Sequence, residues 1–158
     1  IRDSAYLVRS MMMDVVRRGT GVRAMELGRK DLAGKTGTTN EQRDAWFSGY
    51  NDYFVTSVWV GFDNHDPLGR SELGGRAALP VWIEYMRVAL EGVPDNPPEM
   101  PEGLAQARID PETGLLAPLE SEGTIMEIFQ AGHLPPMQET GQGETQDDPL
   151  EEDPYEIY

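Results

Sequence analysis

Apolar positions early in the chain recur at helical spacing. Ala5, Val8, Met12 and Val15 mark one face, widened by Met11 and Val16. Asp3 or Ser4 can cap this helix, Arg17-Arg18 suits its C-terminal dipole, and Gly19 or Gly21 ends it. The Met11-Met12-Met13 run reads as flexible core filler. From Val22 the period falls to two. Val22 to Leu27 predicts a short strand, Gly28 to Asp31 a turn, and Leu32 to Thr38 a second strand. Trp46 to Tyr50 and Tyr53 to Gly61, broken by Asn51-Asp52, predict a β-hairpin, with Trp46 and Trp59 expected in the core. Phe62 to Arg76 is loop-like. A helix is expected from about Ala77 to Leu90, with Pro80 near its first turn and Leu79, Trp82, Ile83, Met86 and Leu90 as its apolar stripe. Helix, antiparallel strands and helix make an α+β arrangement, with helices packed on a sheet.

Charge and proline then divide the chain. Residues 1–92 hold 12 Lys/Arg against 12 Asp/Glu, whereas residues 93–158 hold one against 16, so the formal net charge of −15 arises wholly in the second part. Ten of the 12 prolines follow residue 92, and ten of the 13 Phe, Trp and Tyr precede it. A proline-rich, aromatic-poor stretch of one charge sign buries little apolar area against its ordering entropy. The expected organisation is a folded part over 1–92, a Pro-rich extension over 93–138 and an acidic, disordered tail over 139–158. Within the extension, Asp110-Pro111-Glu112-Thr113-Gly114 signals a turn between apolar flanks, and Gly123 to Leu134 is the last stretch with apolar content. The chain opens at Ile1 directly into a helical pattern, which suggests a segment of a longer protein. No signal peptide or membrane-spanning run is present. The absence of cysteine excludes disulfides, Cys-based metal sites and a Cys nucleophile. The acidic balance argues against nucleic acid as a partner.

The chemistry concentrates at Leu32-Ala33-Gly34-Lys35-Thr36-Gly37-Thr38-Thr39-Asn40. Lys35, one of only two lysines, stands between glycines and beside three threonines. An ammonium, several hydroxyls and unencumbered backbone suit an anion. On a strand, Lys35 and Gly37 share one face while Thr36 and Thr38 share the other. At a sheet edge such a strand can bond an extended ligand, and its N–H groups can stabilise an oxyanion. A phosphate-loop reading fails on the count, because five residues rather than four separate Gly28 from Gly34. It fails on context too, because Gly37-Thr38-Thr39-Asn40 is a poor helix start.

Gly34-Lys35-Thr36-Gly37-Thr38-Thr39-Asn40, then Arg43-Asp44-Ala45-Trp46-Phe47-Ser48-Gly49-Tyr50, then Val58-Trp59-Val60-Gly61 resemble the end of the transpeptidase domain of class A penicillin-binding proteins. Gly74 to Trp82 resembles the start of that domain's final helix, and Ile109 to Ala117 and Gly123 to Phe129 resemble segments that follow it. The resemblance runs from roughly residue 1 to 136. It implies the penicillin-binding/β-lactamase-like fold, a five-stranded antiparallel sheet flanked by helices, of which this chain would be the C-terminal part. It implies acyl transfer: a serine attacks the D-Ala carbonyl of a peptidoglycan stem peptide, D-Ala leaves, and a neighbouring amine accepts the acyl group. β-Lactams acylate the same serine. Lys35, Thr36, Gly37 and Thr38 would bind the substrate with its terminal carboxylate; Lys35 and Thr38 would be catalytic, the Thr38 backbone N–H as half of the oxyanion hole. No cofactor is implied. The parent would be a bifunctional peptidoglycan synthase with an N-terminal anchor and a glycosyltransferase domain, at the bacterial inner membrane facing the periplasm. Its partners would be stem peptides, β-lactams and cell-wall synthesis regulators.

The chain departs from the family in two elements. The nucleophile motif Ser-x-x-Lys is absent, since Leu27 and Leu32 lie three residues before Lys30 and Lys35. No serine has Asn two places on, so Ser-x-Asn is absent as well. The expectation is that an upstream part of the same protein supplies both. The alternatives are a penicillin-recognising scaffold without a nucleophile, or a class A β-lactamase-like hydrolase, which the long acidic extension argues against. Asp63-Asn64-His65-Asp66 lacks the glycine and distal Glu of a calcium loop and reads as a solvated turn, so no metal site is expected. His133 reads as a surface residue and Glu151-Glu152-Asp153 as a solvating end.

Overall fold

A computed structural model describes residues 1–138. The expected disordered tail, 139–158, lies outside the described residues. The described residues form two compact units, one comprising Ile1–Ala107 and Glu127–Leu134, the other Arg108–Met126 and 135–138.

In the first unit, α1 (Arg2–Arg17) is followed by a 3-10 helix (Val22–Leu27), then β1 (Ala33–Thr38), β2 (Asp44–Tyr50), β3 (Val55–Gly61) and α2 (Gly74–Ala89). β1, β2 and β3 make an antiparallel sheet in that order, so β1 is an edge strand. Register pairs Thr36 with Phe47 and Phe47 with Val58, and these share the face that α2 covers. Lys35, Ser48 and Ser57 share the opposite face, as do Gly37, Trp46 and Trp59. α+β is therefore the observed fold class.

The core sits between the sheet and α2. Phe47, Ala78, Leu79, Trp82, Ile83 and Met86 are buried there, joined by Val16, Ala24, Leu32 and Leu90. Phe47 and Trp82 meet edge to face with centroids 5.0 Å apart. The indole N–H of Trp82 donates to the Thr56 carbonyl at 3.1 Å. Gly49 makes this possible, because a methyl there would press into both rings.

Several expected details are corrected. Val22–Leu27 is a 3-10 helix, not a strand. Only Ala24 of this stretch is buried and Leu27 is half-buried, a spacing of three that fits one face of a 3-10 helix. Gly28, at φ +68°, ends it. In α1 the buried residues are Met13 and Val16, whereas Val8 and Met11 are more than half exposed. α1 joins the α2-side core through Val16, while Arg9 and Met12 reach Tyr50 on the opposite sheet face. Trp46 and Trp59 are not core residues: both are over 40% exposed, 6.3 Å apart, on the face away from α2. β3 begins at Val55, so the hairpin loop is Asn51–Phe54 rather than a two-residue turn. Asn51 replaces the missing glycine with its side chain, its Oδ1 accepting from the Tyr53 and Phe54 N–H groups. α2 starts at Gly74, which puts Pro80 inside the helix, where it cannot donate to the Arg76 carbonyl.

A buried polar knot ties the segment after α2 to the residues just before β1 and to the β2–β3 loop. Asp31 has no exposed surface and accepts from Nε and Nη2 of the Arg29 guanidinium, from Asn51 and from the Asn96 N–H. Arg29 also donates to the Val93 and Pro94 carbonyls, 2.8 and 2.7 Å away. Burial pushes the Asp31 carboxyl up, but the bonds from Arg29 and Asn96 outweigh it and hold the carboxyl below the ordinary carboxylate range. The bond to Asp31 raises Arg29 in turn.

β4 (Leu104–Ile109) and β5 (Ile125–Gln130) pair as a two-stranded sheet. In the second unit, the turn expected at Asp110–Gly114 forms between the bridged residues Ile109 and Leu116. Asp110 Oδ1 accepts from the Glu112 N–H, and Gly114 takes a positive φ of 72°.

Candidate active site

Alternation along β1 decides what its edge presents. The Thr39 N–H donates inward to the Asp44 carbonyl at 3.1 Å. In an antiparallel ladder such bonds come at every second residue. Gly37 and Lys35 therefore bond toward β2, and Thr36 and Thr38 turn their backbone groups outward. Lys35 Nζ donates to the Thr36 carbonyl at 2.8 Å, consistent with that carbonyl facing away from β2.

The side chains divide by face. Lys35 is exposed on the face shared with Trp46 and Trp59. Thr36 and Thr38 line a cavity of about 320 Å³ with Thr20, Arg23, Leu73, Gly74, Gly75 and Arg76. Lys35 is not among its lining residues. The Thr20 and Thr36 hydroxyls are 2.8 Å apart, and the Gly74 N–H donates to Thr38 Oγ1 at 3.1 Å. Two glycines permit this approach. A methyl on Gly74 would meet the carbonyl oxygens of Gly37 and Trp46, and one on Gly75 would meet the Thr20 carbonyl. The start of α2 thus rests on the strand that carries the motif.

The motif spacing passes over Thr20, Arg23 and Arg76, which reach the site from the α1 end, the 3-10 helix and α2. The Gly74-Gly75 pair was the readable sign that a helix terminus approaches backbone here. Elsewhere, Asn64 Nδ2 donates to Asp66 within the turn expected at 63–66. His133 is exposed.

An antiparallel sheet with the motif on its edge strand and a helix covering one face is part of the transpeptidase fold, and the chain belongs to the penicillin-binding protein family. No family model matches the chain. The particular relatives are Penicillin-binding proteins 1A. That of Pseudomonas aeruginosa is 53% identical over 133 residues, covering 84% of this chain and 16% of the relative. That of Vibrio cholerae is 38% identical, covering 84% and 19%. The crystal structure of Penicillin-Binding Protein 1A from Haemophilus influenzae is similar with a TM-score of 0.78 at 36% identity, over 87% of this chain and 22% of that one. The chain thus spans less than a fifth of the length of these curated relatives.

Proposed function

We propose that this chain is one wall of a serine D,D-transpeptidase site that cross-links peptidoglycan stem peptides and is acylated by β-lactams. The observation that carries the reading is the edge strand β1, with outward backbone at Thr36 and Thr38 and a cavity beside it into which Thr20, Thr36 and Thr38 bring hydroxyls. The Thr36 and Thr38 hydroxyls receive the ligand's terminal carboxylate. The Thr38 N–H, fixed on a strand, stabilises the oxyanion formed when a serine adds to the carbonyl. Lys35 adds positive potential along the same edge.

The serine lies outside this chain, in the longer protein, together with the Ser-x-x-Lys and Ser-x-Asn elements that residues 1–158 lack. D-Ala leaves with a proton, and a stem-peptide amine then takes the acyl group. The full protein adds a glycosyltransferase domain and a membrane anchor, with this part facing the periplasm. Among the described residues no helix is long and apolar enough to cross a membrane. The organisation into a transpeptidase part over 1–92, a Pro-rich extension over 93–138 and an acidic tail over 139–158 belongs to the same proposal.

Labelling of the full-length protein by a fluorescent penicillin tests the reading. Thr36→Val, Thr38→Val and Lys35→Ala should each slow labelling. Unaltered rates in all three would remove β1 from the site. Because the chain lacks Ser-x-x-Lys, a penicillin-recognising scaffold without a nucleophile is the second reading. Mass spectrometry of the intact protein decides, since a stable drug adduct on a serine excludes the scaffold. Rapid drug hydrolysis without a trapped adduct would instead point to a β-lactamase-like hydrolase.

A further inference from the structure

The cavity beside β1 is walled mostly by apolar surface, with a few hydroxyl and guanidinium donors and no acidic residue among its lining. Of the Thr20 and Thr36 hydroxyls, 2.8 Å apart, one donates to the other, which leaves one hydroxyl proton unused. Thr38 Oγ1 accepts from the Gly74 N–H, so its own proton is also unused. Arg23 and Arg76 add two guanidinium groups, and no lining residue of the cavity is acidic. Arg23 has a carboxylate nearby in Glu26, 3.4 Å away. Among the described residues Arg76 has no ion-pair partner.

The position of Arg76 is itself informative. It lies in the first turn of α2, the positive end of the helix dipole, where a cation is unfavourable, although the Gly74, Arg76 and Ala77 N–H groups already have acceptors. That turn holds no acidic residue. An anion seated in the cavity would relieve both the helix terminus and the guanidinium. Lys35, whose side chain leaves β1 on the opposite face, does not line this cavity.

We infer that Arg76 is the direct cationic partner of the carboxylate held by Thr36 and Thr38, with Thr20 completing the hydroxyl set. This inference rests on the transpeptidase reading above. Arg76 then selects for ligands that carry a free carboxylate at this point, whether a stem-peptide terminus or a β-lactam. It acts on the first, non-covalent encounter and leaves the following acylation step to other groups.

The test compares benzylpenicillin with its methyl ester on the full-length protein, by competition against a fluorescent penicillin. Arg76→Gln should lower the acylation efficiency of the acid by roughly 10- to 100-fold, the range for losing one charge-assisted bond. Efficiency with the ester should stay nearly constant, and the salt dependence of the acid reaction should flatten. The loss should fall on the apparent dissociation constant rather than the limiting rate, and Arg76→Lys should restore much of it. An R76Q protein with wild-type preference for acid over ester, and wild-type salt response, overturns the inference. If Thr36→Val and Thr38→Val slow acylation in that case, the transpeptidase reading stands and only the role of Arg76 falls. If they too are without effect, the reading itself falls. Melting curves check that R76Q folds. Should it not fold, Arg76→Met replaces it in the same comparison, with a lost acid preference upholding the inference and a wild-type preference overturning it.

Discussion

Gly74→Ala is a one-carbon change whose consequences follow from backbone geometry. The new methyl would be aimed at the carbonyl oxygens of Gly37 and Trp46, and would lie 3.1 Å from the Gly37 nitrogen. These are main-chain atoms of paired residues in β1 and β2, so no side-chain rotation can make room. The start of α2 must lift, and the bond from the Gly74 N–H to Thr38 Oγ1 goes with it. Forcing a methyl into a packed site costs about 1–3 kcal/mol. The lost hydrogen bond adds about 1 kcal/mol. Alanine's better helix propensity returns at most about 1 kcal/mol. The net expectation is a loss of about 1–3 kcal/mol, or a fall in Tm of about 2–4 °C per kcal/mol in a domain of this size class. Because the displaced bond holds a motif hydroxyl, labelling by a fluorescent penicillin should slow more than the stability loss alone explains. Calorimetry and labelling kinetics on the full-length protein give both numbers. A G74A protein with unchanged Tm and unchanged labelling would refute the close packing of α2 on β1.

Further outcomes follow from the core and the polar knot. Phe47→Ala removes a ring buried against Trp82 and should cost about 3–5 kcal/mol in a denaturant titration. Asp31→Ala leaves the Arg29 guanidinium buried without its partner and should cost about 3–5 kcal/mol. The folded Asp31 carboxyl titrates below its unfolded value of about 3.9, so its contribution is complete above that pH. It fades as pH falls through the folded value, and D31A should lose that part of the acid dependence of unfolding. Trp46→Ala and Trp59→Ala, on the face away from α2, should cost less than Phe47→Ala in the same titration.

The sequence reading and the structure part company where physical signals conflict. The alternation of β2 was legible, but its phase was not, because Trp46 and Phe47 are both large and apolar. Gly49 resolves it: only on the Phe47 face is there space for the Trp82 indole. The stripe of α2 was legible because Leu79, Trp82, Ile83 and Met86 repeat cleanly and all are buried. The pattern alone puts its start near Ala77 because Gly74-Gly75 reads as loop, whereas the helix begins at Gly74, where the family resemblance has it. In α1 apolar residues surround much of the helix, so periodicity alone could not choose Met13 over Met11. The motif strand was evident from Lys35–Thr38, whereas Thr20, Arg23 and Arg76 join it only through tertiary packing. The Asp31 knot was hidden for the same reason, since Asn51 and Asn96 are distant in sequence.

The most direct test of the central claim is a crystal structure of the full-length protein acylated by a penicillin. The acyl bond is expected on a serine outside residues 1–158, the acyl oxygen on the Thr38 N–H, and the drug carboxylate among Thr36, Thr38 and Arg76. A carboxylate bound away from β1, or an acyl-enzyme in which the Thr38 N–H faces no oxygen of the drug, would contradict it.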